Sequence, residues 1–151
     1  MNHAATDLYP LDRIDRSIEI DASAERVWAL VTRQGWWINE GAVDPEPDVR
    51  QDGDTTVLTH PTYGEFRLLT VESRPTSYVA YHWLDAGVDR PTLVEFRIEP
   101  RHGGGVTLSV TESGFSRLGK AREEWLEHRE GNVTGWESEL AAAKAYVEGG
   151  A

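Results

Sequence analysis

Residues 120–148 read KAREEWLEHREGNVTGWESELAAAKAYVE. Placed on a helix at about 100° per residue, Trp125, Trp136, Leu140, Ala143 and Val147 fall on one stripe. Glu123, Glu127, Glu130, Glu137, Ser138 and Lys144 fall largely away from it. This is a helix with one buried face, and it needs a broad surface to lie against. Arg129 and Asn132 interrupt the stripe, and Gly131 and Gly135 sit beside it. A packed core would place Leu or Ile at the interruption, so that gap is where a site is expected.

The middle of the chain supplies the surface. Arg13 to Ile20 alternates, with Ile14, Ile18 and Ile20 on one side. Ser23 is placed to cap a helix through Val27–Val31, although Arg26 leaves its capping box incomplete. Two adjacent tryptophans, Trp36 and Trp37, cannot share a face of a helix or a strand. One is expected to pack inward and the other to cover an opening. Asp52-Gly53 marks a hairpin turn. Strands are predicted over 55–59, 64–72, 78–84 and 92–99. From Val106 onward, Val106, Leu108 and Val110 point inward, and by the same parity so does Glu112. Asp85 to Arg90 reads as a polar loop. Strands in series flanked by helices mean α+β, with a curved antiparallel sheet of six or seven strands gripping the long C-terminal helix. One domain spans 13–148, behind a flexible tail over 1–12.

Composition removes several function classes. Lys and Arg total 15 against 26 Asp and Glu, a net charge of −11 that disfavours nucleic acid and anionic membrane. There is no cysteine, so thiolate metal sites, thiol nucleophiles and disulfides are absent. The five histidines are scattered, no metal set converges, and surface placement is expected for them. Gly103-Gly104-Gly105 reads as a hairpin turn rather than a phosphate loop. No cofactor motif is present. No apolar run reaches the ~20 residues of a membrane span, and no signal peptide opens the chain, so a cytoplasmic protein is expected.

Several segments carry a resemblance. Residues 17–28, SIEIDASAERVW, the Trp36-Trp37 pair, Gly64-Glu65-Phe66, Val71-Glu72, Tyr81-His82-Trp83 and residues 131–136, GNVTGW, resemble the START-like or Bet v 1-like (SRPBCC) superfamily. Within it they resemble bacterial proteins similar to the C-terminal domain of the activator of Hsp90 ATPase. The resemblance implies a helix-grip fold with a deep cavity between sheet and helix. Relatives hold lipids, steroids, aromatic polyketides or plant hormones there, and some catalyse cyclisation.

The candidate ligand-binding residues are Trp36, Trp37, Phe66, Tyr81, Trp83, Glu112, Trp125, Arg129 and Asn132. Aromatics facing inward from a sheet are usually packing, and Phe96 and Trp136 are read so. Buried polar groups must satisfy one another or face a cavity. Glu112 is expected to pair with Arg129, or to break the parity at a bulge. Two readings stay open. In one, the cavity binds a small hydrophobic or aromatic molecule with one polar end, floored by Asn132 and Arg129. In the other, a cyclase, dehydratase or hydrolase uses Glu112 as general base and Arg129 or Asn132 to hold an oxygen. Chaperone regulation, implied by the family, ranks last, since the eukaryotic activator carries an additional N-terminal domain for which this chain has no room. An edge strand or an exposed tryptophan offers a surface for a homodimer.

Overall fold

The computed structural model describes residues 12–84 and 91–149. The expected tail over residues 1–11 and the polar loop Asp85 to Arg90 lie outside the described residues. Strand β1 (Arg13–Ile20) is followed by helix α1 (Ala24–Val31), strands β2 (Asp48–Asp52), β3 (Thr55–His60), β4 (Gly64–Arg74), β5 (Tyr78–Leu84), β6 (Thr92–Pro100) and β7 (Val106–Ser113), a 3-10 turn over Phe115–Arg117, and helix α2 (Arg122–Gly149). Among the described residues the seven strands form one antiparallel sheet in the order β1-β7-β6-β5-β4-β3-β2. From β2 onward it is a meander. The first strand is the exception, because it pairs with the last, Arg13 opposite Ser113 and Ile20 opposite Val106.

Local chemistry explains the elements. Ser23 caps α1 by accepting from the Arg26 backbone N–H at 3.2 Å. Gly53 turns the β2–β3 hairpin at φ 63°, a left-handed conformation that favours glycine. Strand β4 runs two residues past the expected end, to Arg74, carried over a register shift between Thr70 and Glu72. In β6 and β7 the alternation holds: Val94, Phe96, Ile98, Val106, Leu108 and Val110 are buried. Glu112 keeps that parity and is 1% exposed.

The core lies between the concave face of the sheet, α1, the turn after it, and α2. Both tryptophans of the turn enter it, each 4% exposed, where one had been expected to cover an opening. The restriction on neighbours holds for helices and strands, but residues 33–38 are neither. Trp36 N–H donates to Arg33 O and Ile38 N–H to Gly35 O, and Gly35 sits at φ 80°. That tight turn aims both indoles inward. Trp37 becomes a hub, with ring centroids 5.4–6.1 Å from those of Trp36, Tyr81, Trp83, Phe96 and Trp136. Tyr81 is a strut of this core, its hydroxyl donating to Val31 O at 2.7 Å. No helix among the described residues is long and apolar enough to cross a membrane.

Trp136 is 2% exposed and joins that hub from α2. Trp136→Ala is expected to cost about 3–5 kcal/mol, a large share of the ~5–15 kcal/mol of a typical domain. Urea denaturation measures it; an unmoved midpoint would mean that the helix is not held through this face.

Candidate functional site

The site grows from one side chain. Glu112, at the end of β7, points into the core beneath α2. A carboxyl removed from water needs donors, and it has three. Asn132 Nδ2 donates to Oε1 at 2.9 Å, Trp136 Nε1 to the same oxygen at 2.8 Å, and Thr92 Oγ1 to Oε2 at 2.6 Å. Burial raises the Glu112 pKa, and the three hydrogen bonds oppose the rise without cancelling it. A void of only about 30 Å³ adjoins it, bordered by Trp83, Thr92, Leu118 and His128.

Asn132 and Trp136 are four residues apart on one helix face, so their shared grip on Glu112 fixes the rotation of α2. The flank of the stripe beyond Asn132 then borders a cleft of about 100 Å³, lined by Trp37, Trp83, Asn132, Gly135, Trp136 and Glu139. Two of its walls are chemically unfinished. The indole Nε1 atoms of Trp37 and Trp83 are buried and have no hydrogen-bond partner among the described residues. Trp36 Nε1 and His82 Nδ1 share that state, but neither residue borders the cleft. The helix also leaves room here: a Cβ added at Gly135 would meet nothing within 4 Å.

Glu139 is the residue that the sequence reading passed over. Its Oε1 accepts from Asn39 Nδ2 at 2.7 Å, and the same amide donates to Trp36 O at 3.1 Å. Asn39 thus ties the tryptophan turn to α2. Partial burial pushes the Glu139 carboxyl up to about 7, the Asn39 bond working against the shift. A signal was available. Glu139 stands seven residues after Asn132, about two helical turns, and so on the same side of the helix.

Of the expected site residues, the structure brings Trp37, Trp83 and Asn132 together at the cleft, with Glu112 behind Asn132 and Trp136. Arg129 is elsewhere. It leans over the edge of the sheet, donating to Arg13 O at 3.1 Å and to Glu130 at 2.8 Å, with its side chain 14% exposed. It neither pairs with Glu112 nor floors the cleft, because its side chain leans to the β1 flank, while Asn132 one turn on reaches Glu112. Trp36, Tyr81 and Trp125 are buried in the core away from the cleft, and Phe66 stands behind Trp83, ring centroids 6.4 Å apart. The space expected to be a deep cavity is thus largely filled by aromatic side chains. Surface placement fails for His60, which is buried at 9% and accepts from the Thr62 and Tyr63 N–H groups, and His128 is half-buried beside Phe115. A larger groove, about 560 Å³, lies on the outer face of the sheet along β1, β6 and β7. It is polar and open, and its Arg13, Arg16 and Arg97 already pair with Asp15, Glu137 and Glu95. The smaller cleft, with buried unpartnered indole N–H groups in its walls, is the better site.

A family model described as activator of Hsp90 ATPase homolog 1-like protein matches residues 21–148. No curated protein matches the chain. Among solved structures, the Aha1 dimer from Colwellia psychrerythraea is 18% identical, with 90% of this chain and 96% of that one covered, at a TM-score of 0.65. A protein from Mesorhizobium loti is 16% identical over 90% and 96%, at 0.68. A polyketide-cyclase-like protein from Corynebacterium glutamicum is 20% identical over 90% and 91%, at 0.59. At these identities the likeness shows the fold.

The Glu139 shift has a thermodynamic consequence. Between the ordinary value of 4.5 and about 7, the folded protein holds a proton that the unfolded chain has released. Stability therefore falls as pH rises through this window and stays lower above it. Glu139→Gln removes the effect. At about pH 8 the variant is expected to be more stable by ~1 kcal/mol, a value discounted for the group's partial exposure, and the difference should vanish at about pH 4. Denaturant midpoints at the two pH values measure it; an equal difference at both would mean an unshifted carboxyl.

Proposed function

The chain belongs to the family of activator of Hsp90 ATPase homolog 1-like proteins, and on that scaffold we propose that the cleft between β5, the tryptophan turn and α2 binds a small molecule with an apolar or aromatic body. One observation carries the reading: the Trp37 and Trp83 indoles wall the cleft, and their N–H groups, buried within that wall, have no acceptor among the described residues. A buried donor left unpaired costs about 1–3 kcal/mol, and a ligand oxygen or nitrogen that meets it as the ring turns toward the cleft recovers that cost. The surrounding indoles supply the apolar contact that small-molecule sites are built from. At about 100 Å³ the cleft is smaller than the ~300–1,000 Å³ of drug-sized pockets, so it takes a compact ligand or the polar end of a longer one.

A second reading, enzymatic turnover of the cyclase or dehydratase kind, draws support from Glu139. A carboxyl poised near 7 in a partly dry cleft is suited to take up and return a proton. Glu112 is less suited, since three donors occupy it and it is 1% exposed.

Gly135 makes the binding proposal testable without breaking the core. Gly135→Leu puts a side chain into open space, and it also removes a helical glycine that costs about 1 kcal/mol relative to Ala. The variant should fold at least as stably as the parent and lose the quenching of tryptophan fluorescence by small aromatic ligands such as indole or naphthol. Unchanged quenching in the variant would place binding elsewhere.

A further inference from the structure

The cleft has a charge character as well as a shape. Three indoles border it, those of Trp37, Trp83 and Trp136. Their centroids lie 5.7–6.4 Å apart with planes inclined at 45–74°, so they form one aromatic cluster at the side of the cleft. The polar lining is the Asn132 amide and the Glu139 carboxyl, and no lysine, arginine or histidine lines it among the described residues. Arg129, the cation expected there, is turned to the Arg13 carbonyl. Glu112 lies just behind, joined to the cleft through Asn132 and Trp136. The whole chain carries a net charge of −11.

An aromatic wall with one carboxyl and no cation is chemistry that recognises an organic cation. Indole faces attract ammonium groups through their quadrupole, and a carboxylate adds a charge-assisted hydrogen bond. A ligand carboxylate would meet repulsion from Glu139, and no cation among the described residues lines the cleft to offset it. We infer that the cleft selects ligands bearing a protonated amine or quaternary ammonium group, held by Glu139 against the Trp37, Trp83 and Trp136 indoles. Asn39 is a positioning residue in this arrangement, since its amide orients the Glu139 carboxyl from the turn. An acceptor elsewhere on the ligand would take the free indole N–H groups. The inference rests on the ligand-binding reading of the cleft and adds the class of ligand.

Three probes with one phenylethyl body and different polar ends separate the possibilities: phenethylamine, 2-phenylethanol and 3-phenylpropionate. Titration is followed through the indole N–H signals in nitrogen–proton NMR spectra, at a pH about 1.5 units above the Glu139 value of about 7, where its carboxylate is ionised. The amine should bind about tenfold more tightly than the alcohol, and the carboxylate more weakly than both. Glu139→Gln should cut the amine preference to the smaller part that the indoles supply and leave the alcohol unchanged, while Glu139→Asp, which keeps the charge, should retain more of it. Equal binding of all three, or a preference for the carboxylate, would overturn the inference and leave the cleft as a neutral site. An amine preference undiminished in Glu139→Gln would overturn the role of that residue. If none of the probes moves the Trp37 or Trp83 signals, ligand binding in the cleft itself fails, and the inference with it.

Discussion

A carboxyl held out of water sets the geometry of this protein. Glu112 stands on the strand at the middle of the long β1-β7-β6 pairing, and its two oxygens have to be met by donors from whatever covers them. Thr92 serves from the neighbouring strand, while Asn132 and Trp136 serve from the helix. Apolar packing alone would let a helix roll against a sheet at modest cost, because hydrophobic contact has no direction. Two hydrogen bonds to one oxygen do have direction. They choose one rotation of α2, and that rotation sends Arg129 over the β1 edge, brings Glu139 and Gly135 to the cleft, and seats Trp136 in the aromatic hub.

The hub explains why the interior is so much fuller than the scaffold allows. Trp36 and Trp37 leave a short turn side by side, and the volume between sheet and helix is taken up by their rings with Tyr81, Phe96 and Trp136. What remains open is a margin at the end of β5, where Gly135 withholds a side chain. A margin of this kind keeps a stable core and a binding surface apart. Ring-on-ring contact holds the fold, and the few polar groups at the rim are left to discriminate among ligands.

The architecture was legible in the sequence because the signals were periodic. The stripe from Trp125 to Val147, the alternation through β6 and β7, and the Gly53 turn each report backbone geometry directly, and the inward pointing of Glu112 followed from counting along β7. The site was legible only in part. Of the candidate residues, Asn132, Trp37 and Trp83 line the cleft, whereas Arg129, expected beside them, does not. A stripe says which side of a helix is buried; it does not say to which flank a long side chain at its margin will lean. That depends on the carbonyl of Arg13, which is distant in sequence. Both tryptophans of the pair pack inward because the residues between α1 and β2 form a tight turn, where the alternation rules of helices and strands lose their force. Glu139 was missed because a lone acid on an acidic helix looks like solvated surface until Asn39 is known to face it.

The pairing of the first strand with the last also governs how the molecule can be assembled. Arg13 meets Ser113 across about a hundred intervening residues, a closure that costs chain entropy before it returns any contact. The meander from β2 to β7 is made of local hairpins and can form first. Until β1 and α2 arrive, the Glu112 carboxyl faces water and is free to ionise. Completing the fold is therefore also an act of dehydration at one residue, and burial there disfavours the ionised carboxyl. The step that buries Glu112 therefore carries a pH sensitivity.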